Sequence, residues 1–160
     1  MTDMNYQTDL SAKLHQPVYG SNFQMPESVS KPQQESSWVS LKILLVDDDP
    51  MHLRLIGRNL QILGHTVEAV LSGEEALALL EAGGEPDVVL FDMNLPGKVG
   101  ARFLPRIRAL RPTLSVLIAT TRVDPVVTNL VKAHPPAAMI GRPFDKGDLQ
   151  RILESLSAAG

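Results

Sequence analysis

Polar side chains that could do chemistry occur in four short segments, and each segment follows an apolar run. In chain order they are Asp47-Asp48-Asp49, Asp92, Thr120-Thr121 and Arg142. Carboxylates held close together repel one another, and a divalent cation with oxygen ligands relieves that repulsion. A carboxylate is also a nucleophile toward phosphorus and gives an acyl phosphate. Acids, a hydroxyl and a base therefore predict a magnesium-dependent site that accepts a phosphoryl group.

The sequence between these segments predicts alternating strands and helices. Apolar runs predict strands at residues 43–46, 66–70, 87–91, 114–119 and 137–140. Apolar residues at helical spacing, with capping residues in front of them, predict helices that begin near residues 50, 73, 101, 124 and 145. Pro105 is expected early in the third helix, where its missing N–H costs little. Strict alternation predicts an α/β fold, a parallel sheet with helices on both faces.

The predicted sheet would bring the four polar segments together. All strands of a parallel sheet end at one edge, and ligands bind there where the strand order reverses. The competing interpretation for Asp47 and Asp48 is a charge cluster that the dipole of the next helix favours. Asp49, followed by Pro50, does fit the role of N-cap for that helix. The competing interpretation for Asp92 is a residue that only forms the turn into Asn-Leu-Pro-Gly.

These ordered motifs resemble the receiver domain of two-component response regulators. The matching stretches are ILLVDDDP at 43–50, FDMNLPG at 91–97, TT at 120–121 and RPF at 142–144. The resemblance covers about residues 41–158 and implies a doubly wound, flavodoxin-like sheet of five parallel strands in the order 2-1-3-4-5. It also implies a signalling module, not an enzyme with other substrates, which catalyses only its own phosphoryl transfer and dephosphorylation.

The resemblance implies a role for each matching residue. Asp92 would accept the phosphoryl group from a histidine kinase or a histidine phosphotransfer protein. Asp48 and Asp92 would bind Mg²⁺ directly, together with the backbone carbonyl of Asn94, and Asp47 would act on the ion largely through water. Thr120 would be the hydroxyl that moves toward the phosphoryl group. The signal would then pass to a downstream effector protein or along a phosphorelay.

Three positions depart from the family's pattern. Arg142 stands where the family has a lysine. Its planar guanidinium could clamp the phosphoryl group or pair permanently with Asp92 or Asp48. Met139 stands where an aromatic residue usually rotates inward, and Thr121 replaces a smaller residue. Because of these departures, a phosphorylation-independent pseudo-receiver is the alternative to a phosphoaccepting receiver.

The sequence gives less support to a third function, that of a phosphohydrolase, and to a metal site built from histidines. Phosphohydrolases that resemble haloacid dehalogenases have a second Asp two residues after the nucleophile, where this chain has Asn94. The four histidines are His15, His52, His65 and His134. They show no metal-ligand spacing, and we interpret all four as surface or packing residues.

Composition narrows the class of protein further. The 160 residues carry a formal net charge of −3, which argues against binding of nucleic acid. The absence of cysteine excludes disulfides and thiolate metal sites. We find no apolar run of membrane-spanning length and no signal peptide, so we expect a cytoplasmic location without membrane contact. Nothing follows the fifth predicted helix, and we therefore expect a stand-alone receiver.

The first 40 residues differ in composition and hydrophobic patterning from the rest. Residues 1–40 are polar and show no sustained period, which predicts a mostly disordered tail, and residues 41–160 form the predicted receiver domain. Tyr6, Tyr19 and Trp38 lie in this tail, so part of it could dock on the domain or on a partner.

Deletion of residues 1–38 should leave the melting temperature and the phosphoryl uptake of the domain nearly unchanged, because the predicted sheet is complete without them. Calorimetric melting of the full and the shortened chain measures the first quantity. A large loss of stability would show that Trp38 or its neighbours pack on the domain.

Overall fold

Strands and helices alternate along the chain. The computed structural model describes residues 39–94 and 99–159. The strands are β1 Lys42–Val46, β2 Thr66–Val70, β3 Val88–Asp92, β4 Ser115–Thr120 and β5 Ala137–Gly141. The helices are α1 Pro50–Ile62, α2 Gly73–Glu81, α3 Val99–Leu110, α4 Pro125–Ala133 and α5 Lys146–Ala158. Every predicted element is present, with ends displaced by one or two residues. The predicted tail at residues 1–38 and the loop at 95–98 lie outside the described residues.

The five strands form one parallel sheet in the order β2-β1-β3-β4-β5. This confirms the doubly wound sheet and its predicted order. The register fixes the positions of the strand ends, because Val46 pairs with Phe91 and Thr120 pairs with Gly141. Asp47 is therefore level with Asp92 on the neighbouring strand, and the residue after Gly141 emerges beside the end of β4.

A separate hydrophobic core covers each face of the sheet. Side chains alternate along the buried central strands, so Leu44, Phe91 and Ile118 face α2, α3 and α4. The intervening residues, among them Leu45, pack against α1 and α5 on the other face. The edge strands β2 and β5 are more exposed than the three strands between them. None of the helices in the described part of the chain is long and apolar enough to cross a membrane.

Pro105 lies deeper in α3 than the sequence predicted. The helix begins at Val99, so Pro105 comes after the first turn, and the expectation of an early position was wrong. The carbonyl of Ala101 consequently lacks its usual helical donor. The helix persists because Phe103 and Ile107 are buried in the core, and the Phe103 ring meets Phe91 edge to face at 5.2 Å. Tertiary burial here outweighs local helix propensity.

One arginine ties together three segments at the amino edge of the sheet. The guanidinium of Arg108 donates to the carbonyl of His134 at 3.1 Å and to that of Pro136 at 2.7 Å. It also donates to the carbonyl of Leu114, just before β4. Burial lowers the pKa of Arg108 from its ordinary value. This arginine therefore links α3 to the segments before β4 and β5 through their backbone carbonyls.

His65 is a packing residue, as the sequence predicted. Its Nδ1 accepts a hydrogen bond from the backbone N–H of Leu41 at 3.2 Å, so its Nε2 carries the proton. Nε2 and the Oε1 of Gln150 are both buried, and neither makes a hydrogen bond of normal geometry within the described part of the chain. Burial lowers the pKa of His65, and a loose contact with Gln150 offsets only part of that effect.

The free energy of unfolding should fall as the pH drops below about 6.5, the ordinary pKa of histidine. The folded pKa of His65 is lowered, so the unfolded chain takes up the proton first, and stability is complete only above that pH. Urea denaturation from about pH 8 to about pH 5 measures the slope. His65→Gln should flatten it, whereas the control His134→Gln should not. Equal slopes in wild type and His65→Gln would contradict this assignment.

Candidate functional site

The carboxyl edge of the sheet carries the predicted site residues. Asp47 follows β1, Asp92 ends β3, Thr120 ends β4 and Arg142 follows β5. Backbone bonds continue past the strands, since Asp47 N–H donates to the carbonyl of Val70 and Arg142 N–H donates to that of Thr120. These bonds hold the site residues on rigid backbone where the strands leave the sheet.

Arg142 bridges the two buried acids. Its Nη2 lies 2.9 Å from Asp47 Oδ2, and its Nη1 lies 3.0 Å from Asp92 Oδ2. The Asp47 side chain is 1% exposed and that of Asp92 6%, so both carboxylates meet the guanidinium away from bulk water. Two separate nitrogens of one planar fork thus pair with acids from two strands, an arrangement that suits arginine better than lysine.

The second oxygen of each acid is bound to the backbone. Asp47 Oδ1 accepts a hydrogen bond from Asp49 N–H at 2.9 Å, and Asp92 Oδ1 accepts one from Asn94 N–H at 2.9 Å. Each carboxylate is therefore fixed on one side by an amide and on the other by Arg142. In both residues Oδ2 is the oxygen that pairs with Arg142, and a ligand would share it or displace the arginine from it.

The remaining predicted residues lie at the margin of this cluster. Asp48 is exposed, and it does not belong to the group of acids and histidine that converge within the described ranges. The Asn94 amide lies 3.3 Å from Thr121 Oγ1. The Thr120 hydroxyl is buried, donates to the carbonyl of Arg122 at 2.8 Å and accepts from its N–H at 3.1 Å. The prediction that Asp48 binds Mg²⁺ directly and Asp47 largely through water stays a prediction.

Met139 is half-buried in β5 and packs against the core on one face of the sheet.

His52 belongs to the site, although the sequence analysis placed it among surface or packing residues. It lies in the first turn of α1, and its Nδ1 is 3.4 Å from Asp47 Oδ2 and 3.4 Å from Arg142 Nη1. Its Nε2 is 3.6 Å from Asp49 Oδ2. The sequence contained one indication of this placement. His52 is three residues after the helix N-cap, and a side chain at that position points back over the strand end.

The cluster fits a divalent cation. One ligand atom each from Asp47, His52 and Asp92 lie within 4.8 Å of one another. Two buried carboxylate oxygens suit a hard ion such as Mg²⁺, which keeps several water ligands. The guanidinium of Arg142 already places positive charge against all three ligand atoms. A metal ion bound by these atoms would therefore compete with Arg142 for the same oxygens.

Comparisons with known proteins place these residues in a family context. The family described as response regulator receiver domain matches residues 43–154. The transcriptional regulatory protein TcrA of Mycobacterium tuberculosis is 34% identical over 122 residues, which are 75% of this chain and 47% of that protein. The virulence sensor protein BvgS of Bordetella pertussis is 46% identical over 80 residues, which are 50% of this chain and 6% of that protein. The chain thus spans about half or less of these relatives.

Solved structures share the fold. The chemotaxis protein CheY4 of Vibrio cholerae superposes with a TM-score of 0.66 at 28% identity and covers 73% of this chain and 98% of its own. The receiver domain of the sensor histidine kinase PA1611 from Pseudomonas aeruginosa gives 0.65 at 28% identity, over 74% of this chain and 98% of its own. That structure has a magnesium ion coordinated in its active-site cleft.

Arg142→Met should lower the free energy of unfolding by about 3–5 kcal/mol in the absence of divalent cations, because two buried carboxylates lose their counter-ion. Millimolar Mg²⁺ should restore part of the loss by binding the exposed oxygens of the folded state.

Chemical denaturation with and without a chelator measures both effects. Arg151→Met is the matched control, since Arg151 pairs with Asp148 at the surface and its loss should cost little. If Arg142→Met is as stable as wild type in the chelator, the ion-pair bridge does not hold the site together.

Proposed function

Because the chain belongs to the response regulator receiver domain family, we propose that it accepts a phosphoryl group on Asp92. The donor is a histidine kinase or a histidine phosphotransfer protein, and the signal leaves through a partner protein or along a phosphorelay. The observation that carries this proposal is Asp92 Oδ2, a buried carboxylate oxygen at the end of β3 that only Arg142 contacts among the described residues.

Asp92 is the better nucleophile of the two buried acids, because Asp47 Oδ2 lies near both Arg142 and His52, whereas Asp92 Oδ2 pairs with Arg142 alone among the described residues. Its Oδ1 is engaged by the Asn94 N–H, so Oδ2 is the oxygen that can attack. Attack of Oδ2 on the phosphorus of a phosphohistidine forms the P–O bond of an acyl phosphate and breaks the P–N bond. The electron pair of the broken bond stays on the donor imidazole. Asp47 is the second acid, and its Oδ2 faces the same pocket from β1.

A divalent cation would support this transfer. Mg²⁺ supplies electrostatic stabilisation of the charge on the transferring phosphoryl oxygens. Asp47 and Asp92 would hold the ion, and the exposed Asp48 would complete the acidic set. The role of this chain's own residues is to orient both carboxylates, which the two backbone amides at Oδ1 achieve.

Arg142 and Thr120 are the cation and the hydroxyl for the transferred group. When Asp92 carries a phosphoryl group, Arg142 must exchange its contact with Oδ2 for one with the phosphoryl oxygens. Thr120 holds a turn with Arg122 through its hydroxyl, and this turn must open for the hydroxyl to reach the same group. Both changes would alter the loop after β4 and thereby the surface offered to a partner.

A pseudo-receiver is the second candidate, and one observation favours it. Arg142 neutralises Asp47 and Asp92 together in the absence of any phosphoryl group or metal ion. If that bridge never opens, the domain acts as an interaction module whose surface does not depend on phosphorylation.

Incubation with Mg²⁺ and acetyl phosphate, a small acyl-phosphate donor, should add one phosphoryl group to the chain, and Asp92→Asn should abolish the addition. Intact-mass analysis measures the stoichiometry. Asp148→Asn, which removes an exposed acid, is the matched control and should be modified like wild type.

Unmodified wild-type protein would favour the pseudo-receiver. A phosphorylated Asp92→Asn protein, or more than one group per chain, would show that Asp92 is not the acceptor.

A further inference from the structure

His52 approaches the acid pair from α1, and the phosphoryl transfer proposed above gives it no task. The helix is anchored at this end because Asp49 Oδ1 accepts a hydrogen bond from Met51 N–H at 2.8 Å. The imidazole is directed into the pocket, with Nδ1 3.4 Å from Asp47 Oδ2. The imidazole thus adds a nitrogen atom to the two carboxylates of the site.

The two imidazole nitrogens face different groups. Nδ1 lies 3.4 Å from Nη1 of Arg142 and 3.4 Å from Asp47 Oδ2, so it meets a cation and a carboxylate together. Nε2 lies 3.6 Å from Asp49 Oδ2. Metal-binding histidines have this arrangement, with one nitrogen toward a cation and the other backed by a carboxylate.

The guanidinium of Arg142 acts as a stand-in for a metal ion. The carboxylate oxygens of Asp47 and Asp92 would repel one another without a cation between them. These oxygens and His52 Nδ1 all contact the guanidinium, and the three ligand atoms lie within 4.8 Å of one another. Two neighbouring ligands on one metal ion lie roughly 3 Å apart, given metal–ligand distances of about 2.1 Å. Displacement of Arg142 and contraction of the cluster to this spacing would satisfy an ion.

We infer that His52 is a metal ligand and that it gives the site a preference for first-row transition-metal dications over Mg²⁺. The inference rests on the proposed function, because it assigns a cation preference to the same site. Mg²⁺ takes oxygen ligands, whereas imidazole nitrogen suits ions from cobalt to zinc. Asp49 is a positioning residue in this scheme, since it orients the ring through Nε2–H.

The test measures binding of Co²⁺ and of Mg²⁺ by calorimetry to the full chain. Wild type should bind Co²⁺ more tightly than Mg²⁺. His52→Gln should lose at least about tenfold in Co²⁺ affinity, while its Mg²⁺ affinity changes less than about twofold. His15→Gln and His134→Gln, which remove other histidines, should behave like wild type. The His52 side chain is 47% exposed, so its replacement should leave the fold intact, which thermal melting checks.

A second measurement separates ligation from a merely structural role. In protein labelled with ¹⁵N-histidine, Zn²⁺ should shift the Nδ1 resonance of His52 and leave its Nε2 protonated. Asp49→Asn keeps the helix cap, because asparagine caps as well as aspartate, but it removes the charge behind the ring. It should weaken Co²⁺ binding less than His52→Gln does and should leave Mg²⁺ binding unchanged.

The outcomes distinguish this inference from the proposed function. An unmoved Nδ1 resonance, or equal losses of Co²⁺ and Mg²⁺ affinity in His52→Gln, would overturn the role of His52. Phosphorylation of Asp92 in Mg²⁺ would still stand in that case. Failure of wild type to bind either cation would overturn the inference, and failure of Asp92 phosphorylation as well would overturn the proposed function with it.

Discussion

Two carboxylates buried side by side need positive charge between them, and the site is organised by that requirement. Burial of like charges is costly unless each is paired and hydrogen-bonded. Asp47 and Asp92 meet the condition in the same way, with a backbone amide on Oδ1 and the Arg142 guanidinium on Oδ2. Because the three residues end three different strands, the ion pairs also join β1, β3 and β5 across the sheet edge. A metal ion bound there must take over the positive charge that Arg142 supplies.

Most of the fold could be predicted from the sequence because apolar patterning is strong. The central strands are buried on both faces, so they appear as unbroken apolar runs, and the helices carry clear caps at Asp49 and Ser72. Parallel alternation then brought Asp47, Asp92 and Arg142 to one edge without knowledge of the strand order. The order itself came from the resemblance to receiver domains, and the structure confirms it.

The details that escaped prediction depend on contacts between residues distant in sequence. Consecutive acids after a strand point in different directions, and the sequence does not reveal that Asp47 turns inward while Asp48 stays exposed. His52 lies beside Arg142, which is 90 residues further along the chain. The residues near His52 in sequence therefore show no metal-binding spacing. The predicted position of Pro105 in α3 was too close to the start of the helix. Local propensity disfavours a proline after the first turn, but burial in the core keeps α3 helical there.

The bonds of Arg108 restrict how this sequence can drift in evolution. A single guanidinium serves the carbonyls of Leu114, His134 and Pro136, which come from two separate loops. Lysine would keep the charge but has one nitrogen, so an exchange that is neutral at most surface positions would break some of these part-buried hydrogen bonds. At the edge of the sheet remote from the acids, the choice between the two basic residues is therefore set by hydrogen-bond geometry, and selection should preserve arginine at this position even in descendants that lose the phosphoryl chemistry.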